Sequence, residues 1–229
     1  MGKNVKLVKQ TTTDLVYEQL KKDIIDQVYE PGEKLSEAKI AERYGVSRDP
    51  VRKAVVLLEQ ESLLTSKPQF GTIVNPISLK QGLEVCKIRY LLETYAVEVA
   101  ASKIDDEIIK DLKTKIATVE ARLEICDREQ VLPLLFEMDK ELHNAIYDAC
   151  GNEILKSIIN IYSTIIQRIR KANVTWAHRE KSSIKEMKAI IEALCCHDPI
   201  MAKEAMATHI ANIEKTVEEI NQEKKETEK

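Results

Sequence analysis

The sequence predicts a mainly α protein in two parts: an N-terminal helix–turn–helix segment with a small hairpin, and a C-terminal antiparallel all-α bundle of about six helices. Three observations predict it. Of 229 residues, 44% are hydrophobic but only 4% aromatic, with six Gly and six Pro, a balance that does not suit a sandwich or barrel of many short strands. From Pro76 onward only helical periodicity appears, in blocks separated by short breaks. Ahead of Pro76, two short helical blocks flank a Gly turn and are followed by two β-type runs. The expected domains are therefore 1–75 and 76–229.

In the first part, Thr12 or Thr13 can cap a helix carrying Val16, Leu20, Ile24 and Ile25 on one face. Tyr29-Glu30-Pro31-Gly32 breaks it. Ser36 starts a second helix, Glu37 to Tyr44, and Gly45 is its left-handed stop. Ser47 caps a third helix opening Arg48-Asp49-Pro50, where proline is tolerated because first-turn N–H groups lack helical partners. Val51, Ala54, Val55, Leu57 and Leu58 give this helix its apolar stripe. Leu63-Leu64-Thr65 and Thr72-Ile73-Val74 read as strands of a hairpin, or wing. In the second part the helices are expected at about 79–102, 105–127, 132–149, 152–172, 180–196 and 199–222, with Asp105, Asn152 and Asp198 as caps and a fraying charged tail.

Composition excludes some classes. No run of ~18 apolar residues exists, so no membrane span is expected. Met1 to Gln10 has three Lys but no apolar stretch after them, so no signal peptide is expected either. The five cysteines lack C-x-x-C spacing and suggest reduced, structural thiols in a cytoplasmic protein, with Cys195 and Cys196 as buried small hydrophobes. Trp176 is expected to serve packing. The net charge of −3 argues weakly against a nucleic-acid partner. Residues 1–75 nevertheless hold twelve Lys/Arg against eleven Asp/Glu, and placement matters more than the sum.

The placement is informative. Arg48 and Arg52 lie four apart on one face at the start of the third helix, where a recognition helix meets base edges in the major groove. Each guanidinium can grip guanine O6 and N7. Ser47 and the helix N-terminus suit a phosphate, and Lys53 and Lys67 suit sequence-blind phosphate contacts. This segment resembles the winged helix-turn-helix of GntR-family bacterial regulators. The resemblance rests on Tyr17 to Leu20, Pro31 to Glu37, Gly45 to Ala54 and Pro68 to Val74. It implies DNA contact by Ser36, Ser47, Arg48, Asp49, Arg52, Lys53, Lys67, Gln69, Gly71 and Thr72, with the wing at the minor groove. Many relatives carry a basic residue just before the wing glycine; here that residue is Phe70.

The helical part resembles the ligand-binding FCD domain of the FadR subfamily. The matches are Arg89 to Glu93, Asp139 to His143, Gly151-Asn152, Gln167 to Arg170 and Thr208 to Ile210. Asp139 and His143, at i and i+4, point the same way among Leu135, Leu142 and Ile146. Such groups on an apolar face are costly unless paired or metal-bound. The resemblance implies one divalent metal (Zn, Ni or Mn) held by Asp139, His143 and His209, with Met187 standing where a further His is expected. Neither His178 nor His197 substitutes for it, since helical spacing points them elsewhere. Three protein ligands plus water remain a workable zinc set; the alternative is a metal-free pocket in which these groups bond each other or a ligand. Arg89, Asp139, His143, Arg168, Met187 and His209 form the expected effector set. Arg89 either clamps an effector carboxylate or pairs with Glu93.

The function implied is a homodimeric, operator-binding transcription regulator, expected to be a repressor, controlled by a small carboxylic acid. The alternative is a regulator for which the metal is itself the signal. An enzyme is not expected, because no nucleophile motif, phosphate loop or H-E-x-x-H accompanies Asp139 and His143.

Overall fold

The computed structural model describes residues 10–67, 70–76, 78–172 and 179–227. Two compact units divide the chain: 1–77 together with 167–172, and 78–166 together with 173–229. The first unit thus ends two residues later than expected and includes the last turn of a helix that the sequence reading placed wholly in the second part.

In the N-terminal unit, α1 (Thr12–Ile25) is capped one residue earlier than expected. Thr11 and Asp14 form a capping box: Asp14 N donates to Thr11 Oγ1 at 3.2 Å, and Thr11 N to Asp14 Oδ2 at 2.8 Å. A two-residue strand, β1 (Lys34–Leu35), precedes α2 (Glu37–Tyr44) and α3 (Arg48–Gln60). Strands β2 (Leu64–Lys67) and β3 (Gly71–Val74) complete a three-stranded sheet in the order β1-β3-β2, antiparallel throughout. The sequence reading had only the hairpin, because two residues are too few to display strand alternation. Gly45 closes α2 in the left-handed region at φ 65°, as expected. Val16, Leu20 and Ile24 of α1 pack with Val51, Ala54, Val55 and Leu58 of α3, and with Leu63, Leu64 and Val74. Buried Asp23 ties α1 to α2: its carboxylate accepts from Tyr44 Oη at 2.9 Å and from Gln19 Nε2 at 2.7 Å.

The C-terminal unit is built from α4 (Leu79–Ala101), α5 (Asp106–Ile125), α6 (Arg128–Cys150), α7 (Glu153–Ala172, to residue 166), α8 (Glu180–Cys195) and α9 (Pro199–Thr227). Asp105, Asn152 and Asp198 cap their helices as expected; Asp198 Oδ1 accepts from Ile200 N and Met201 N, both at 3.0 Å. Helix α6 begins four residues before the expected 132, with Pro133 inside it. So close to the start, the missing proline N–H removes a single ladder bond. Helix α9 runs five residues beyond the expected 222, because Lys and Glu are good helix formers. The core gathers Ala96, Val97 and Ala100 of α4, Ile109 and Leu112 of α5, Leu142 and Ile146 of α6, Met187, Ile190 and Ile191 of α8, and Met206 and Ile210 of α9.

All five cysteines are free. Cys86 and Cys150 are buried, but Cys195 and Cys196 are exposed, which corrects the expectation for that pair. They end α8 as the chain turns through His197 at φ 46°, and Lys113 Nζ approaches Cys195 Sγ to 2.9 Å. No helix among the described residues is long and apolar enough to cross a membrane. Trp176 and His178 lie outside the described residues.

Candidate functional site

Helix α3 buries Val51, Ala54, Val55 and Leu58 and so turns Arg48, Asp49, Arg52 and Lys53 to solvent. Arg52 is loosely braced by Glu37 of α2, Nε to Oε2 at 3.5 Å, with 63% of its side chain exposed. Ser36 and Ser47 occupy the N-cap positions of α2 and α3, yet neither side chain makes a cap hydrogen bond. Both hydroxyls are exposed and open to an external phosphate. On the wing, Lys67 and Gly71 are exposed, and Phe70 is 67% exposed. Thr72 is not presented as expected: it is buried, and its hydroxyl meets Ser66 Oγ at 2.9 Å. Gln69 lies outside the described residues.

The wing also gains a cation that the sequence reading missed. Lys34 on β1 pairs with Ile73, and its side chain lies across Gly71, at φ 84°; a Cβ there would sit 2.9 Å from Lys34 Cε. An ammonium is thus present at the wing although position 70 is Phe. Lys34 lies within the Pro31 to Glu37 match, but nothing in that run places it at the wing; the pairing of β1 with β3 brings it there.

A second cluster lies inside the helical unit. Helix α4 carries Arg89 and Glu93, α6 carries Asp139, His143 and Tyr147, α8 carries Glu186, and α9 carries His209. Asp139, His143 and His209 are all buried, and each offers one ligand atom within 4.8 Å of the others. His143 Nε2 lies 3.6 Å and His209 Nε2 lies 3.4 Å from Asp139 Oδ1. Among the described residues, neither Nε2 has a hydrogen-bond partner. The other ring nitrogens are occupied: His143 Nδ1 lies 3.0 Å from Glu93 Oε2, and His209 Nδ1 lies 2.9 Å from Glu186 Oε2. Two buried imidazole nitrogens that make no hydrogen bond among the described residues and lie within ion-pair distance of one carboxylate fit a divalent-ion ligand set.

Arg89 resolves its two sequence readings toward Glu93. Its Nε donates to Glu93 Oε1 at 2.6 Å and its Nη2 to Oε2 at 3.2 Å, both residues being buried. Nη1 of the same guanidinium is buried with no hydrogen-bond partner among the described residues. Burial opposes the charged form of Glu93, but the Arg89 and His143 charges prevail and hold its carboxyl well below the usual range. For His143, burial disfavours the proton, but Glu93 and Asp139 outweigh it and raise the imidazole to about 9.

Met187 is fully buried in the core, one residue from Glu186. Arg168 is not brought to this cluster. It belongs to the 167–172 stretch of the N-terminal unit, where its Nη2 donates to the backbone carbonyl of Asn75 at 2.5 Å. His197 also lies apart, bonding Ala101 O at 2.8 Å and Asp106 Oδ1 at 3.1 Å. Sequence reasoning did not single out Glu186, which meets His209, or Arg179, which pairs with Glu186 at 2.8 Å. The signal available was only an acidic residue directly before Met187.

A winged reader with an exposed arginine pair, followed by an all-helical domain with a buried carboxylate–imidazole cluster, defines a DNA-binding transcription regulator with a ligand-binding domain. Residues 12–74 match the family described as bacterial regulatory proteins, gntR family, and residues 84–212 match the FCD domain. The chain belongs to the GntR family, among its members with an FCD domain.

Relatives agree. The chain is 28% identical to the HTH-type transcriptional regulator YdhC of Bacillus subtilis over 193 residues, 84% of this chain and 85% of that one. It is also 28% identical to the HTH-type transcriptional repressor RspR of Escherichia coli over 214 residues, 93% and 92% of the two chains. Among solved structures, E. coli McbR/YncC superposes with a TM-score of 0.74 at 22% identity, covering 94% of this chain and 100% of the other. A GntR regulator from Rhodococcus gives 0.69 at 18% identity, covering 90% and 96%. These two likenesses speak to the fold alone.

Proposed function

We propose that this regulator is a homodimeric repressor. Its operator affinity is set by a small carboxylate bound in the helical domain, at a divalent ion (Zn, Ni or Mn) held by Asp139, His143 and His209. The observation that carries this reading is the pair of buried histidine Nε2 atoms that face Asp139 and have no hydrogen-bond partner among the described residues. Bound there, the ion supplies a cationic position open to one carboxylate oxygen. The unpartnered Arg89 Nη1 is the second group suited to that carboxylate. Exposed Tyr90, Leu91 and Tyr95 give α4 an apolar outer face, which supports pairing with a second copy. RspR and GlaR of E. coli carry the name repressor, which supports that sign of control.

Elemental mass spectrometry of protein purified without chelator tests the reading. Near-stoichiometric Zn, Ni or Mn is expected, falling to background in Asp139→Ala. No metal in the parent, even after soaking, overturns the metal-dependent reading. Met187→His is expected to tighten metal binding by roughly tenfold or more, given that even second-shell partners act on that scale. An unchanged affinity in chelator competition would show that position 187 does not face the site.

A further inference from the structure

Two chains of contacts reach the candidate metal ligands from opposite helices. On one side Arg89 of α4 holds Glu93 through two bonds, at 2.6 and 3.2 Å, and Glu93 Oε2 meets His143 Nδ1 at 3.0 Å. On the other, Arg179, just before α8, holds Glu186 through two contacts of 2.8 Å each. Arg179 is itself fixed to α9 by the carbonyl of Asn212 and by Thr216 Oγ1 at 3.0 Å. Asn212 Nδ2 adds a bond of 2.8 Å to Glu186 Oε1, and Glu186 Oε2 meets His209 Nδ1 at 2.9 Å. Each carboxylate is therefore anchored independently of its histidine, and each histidine is oriented by an already fixed acceptor.

An ionised carboxylate only accepts hydrogen bonds, so the ring nitrogen facing it must carry the proton. That leaves the opposite nitrogen, Nε2, with its lone pair toward Asp139 when the ring is neutral. From this we infer that Glu93 and Glu186 are positioning residues that fix the ring orientation and tautomer of His143 and His209. They thereby preorganise a three-ligand site in which Met187 contributes no imidazole. Carboxylate partners of this kind raise ligand basicity and govern metal affinity from outside the coordination sphere. Arg179 and Arg89 are their anchors, and Glu192, exposed on the same helix as Glu186 and paired with Lys113 at 3.2 Å, has no such part.

The inference rests on the metal-binding reading above, and its test separates the two. Zinc affinity of the full-length chain is measured by competition with a chromophoric chelator. Glu186→Gln and Glu93→Gln should each weaken zinc binding by roughly 10- to 100-fold, while Glu192→Gln leaves it unchanged. Parent-like affinity in both glutamine variants overturns the inference and leaves the metal site standing. The second measurement is a histidine-ring proton–nitrogen correlation spectrum on metal-free protein. His209 should carry its proton on Nδ1 in the parent and lose that preference in Glu186→Leu. If the parent binds no zinc, the metal reading fails, and this spectrum still decides the positioning role. A parent His209 protonated on Nε2 alone overturns it.

Discussion

Replacing Arg52 by alanine is expected to lower specific operator affinity by roughly fivefold to more than a hundredfold, the discrimination carried by one bidentate guanine contact at about 1–3 kcal/mol. Arg48→Ala should act on the same scale, and the double variant should retain only sequence-blind binding. Both side chains are exposed on α3, which keeps its packing through Val51, Ala54, Val55 and Leu58. Stability should therefore change by no more than about 0.5 kcal/mol. The measurement is fluorescence anisotropy on an operator selected from random duplexes by the parent protein, with scrambled DNA as reference. Lys53→Ala provides the contrast: it should weaken all sequences alike and reduce the salt slope by about one. Undiminished affinity in Arg52→Ala would remove α3 as the reading helix.

Arg89→Met is expected to be the most destabilising single change near the helical cluster, by about 3–5 kcal/mol, the usual consequence of leaving one partner of a buried ion pair uncompensated. Glu93 is 0% exposed, and without Arg89 its charge would keep only His143 and the Tyr147 hydroxyl, among the described residues, beside it. At roughly 2–4 °C per kcal/mol for a chain of this size, thermal melting should fall by about 6–20 °C. The double variant Arg89→Met/Glu93→Leu should recover much of that loss, because an apolar replacement of a buried pair is often nearly neutral. A single variant that melts like the parent would mean that solvent reaches Glu93.

Much of this architecture was legible because local chemistry and tertiary packing agree. Gly45 is a left-handed stop in both readings, and Val51, Ala54, Val55 and Leu58 of the expected stripe form the buried face of α3, whereas Leu57 at its edge is exposed. Asp139 and His143 were legible because two polar residues one turn apart on an apolar face require a partner. The remainder depends on contacts distant in sequence. Strand β1 exists only by pairing with a segment nearly forty residues later, and Lys34 reaches the wing by that route alone. Glu186 looks like an ordinary surface glutamate until α9 places His209 beside it. Cys195 and Cys196 mislead because their apolar character favours burial, whereas the end of α8 leaves both outside. Arg168 misleads for a related reason: its helix belongs to one unit for most of its length and to the other in its last turn.

The reader's internal ties have an evolutionary reading. Its interior is filled by its own side chains, Asp23 staples α1 to α2, and Gly45 fixes the bend before α3. The exposed face of α3 and the buried histidine cluster are thus encoded in separate sets of residues. Under the proposed function, drift in the helical domain would change the bound ligand while the exposed face of α3 stays intact, and new DNA contacts would be acquired through a few substitutions on α3 without altering the buried cluster. Regulators assembled this way can be rewired one property at a time.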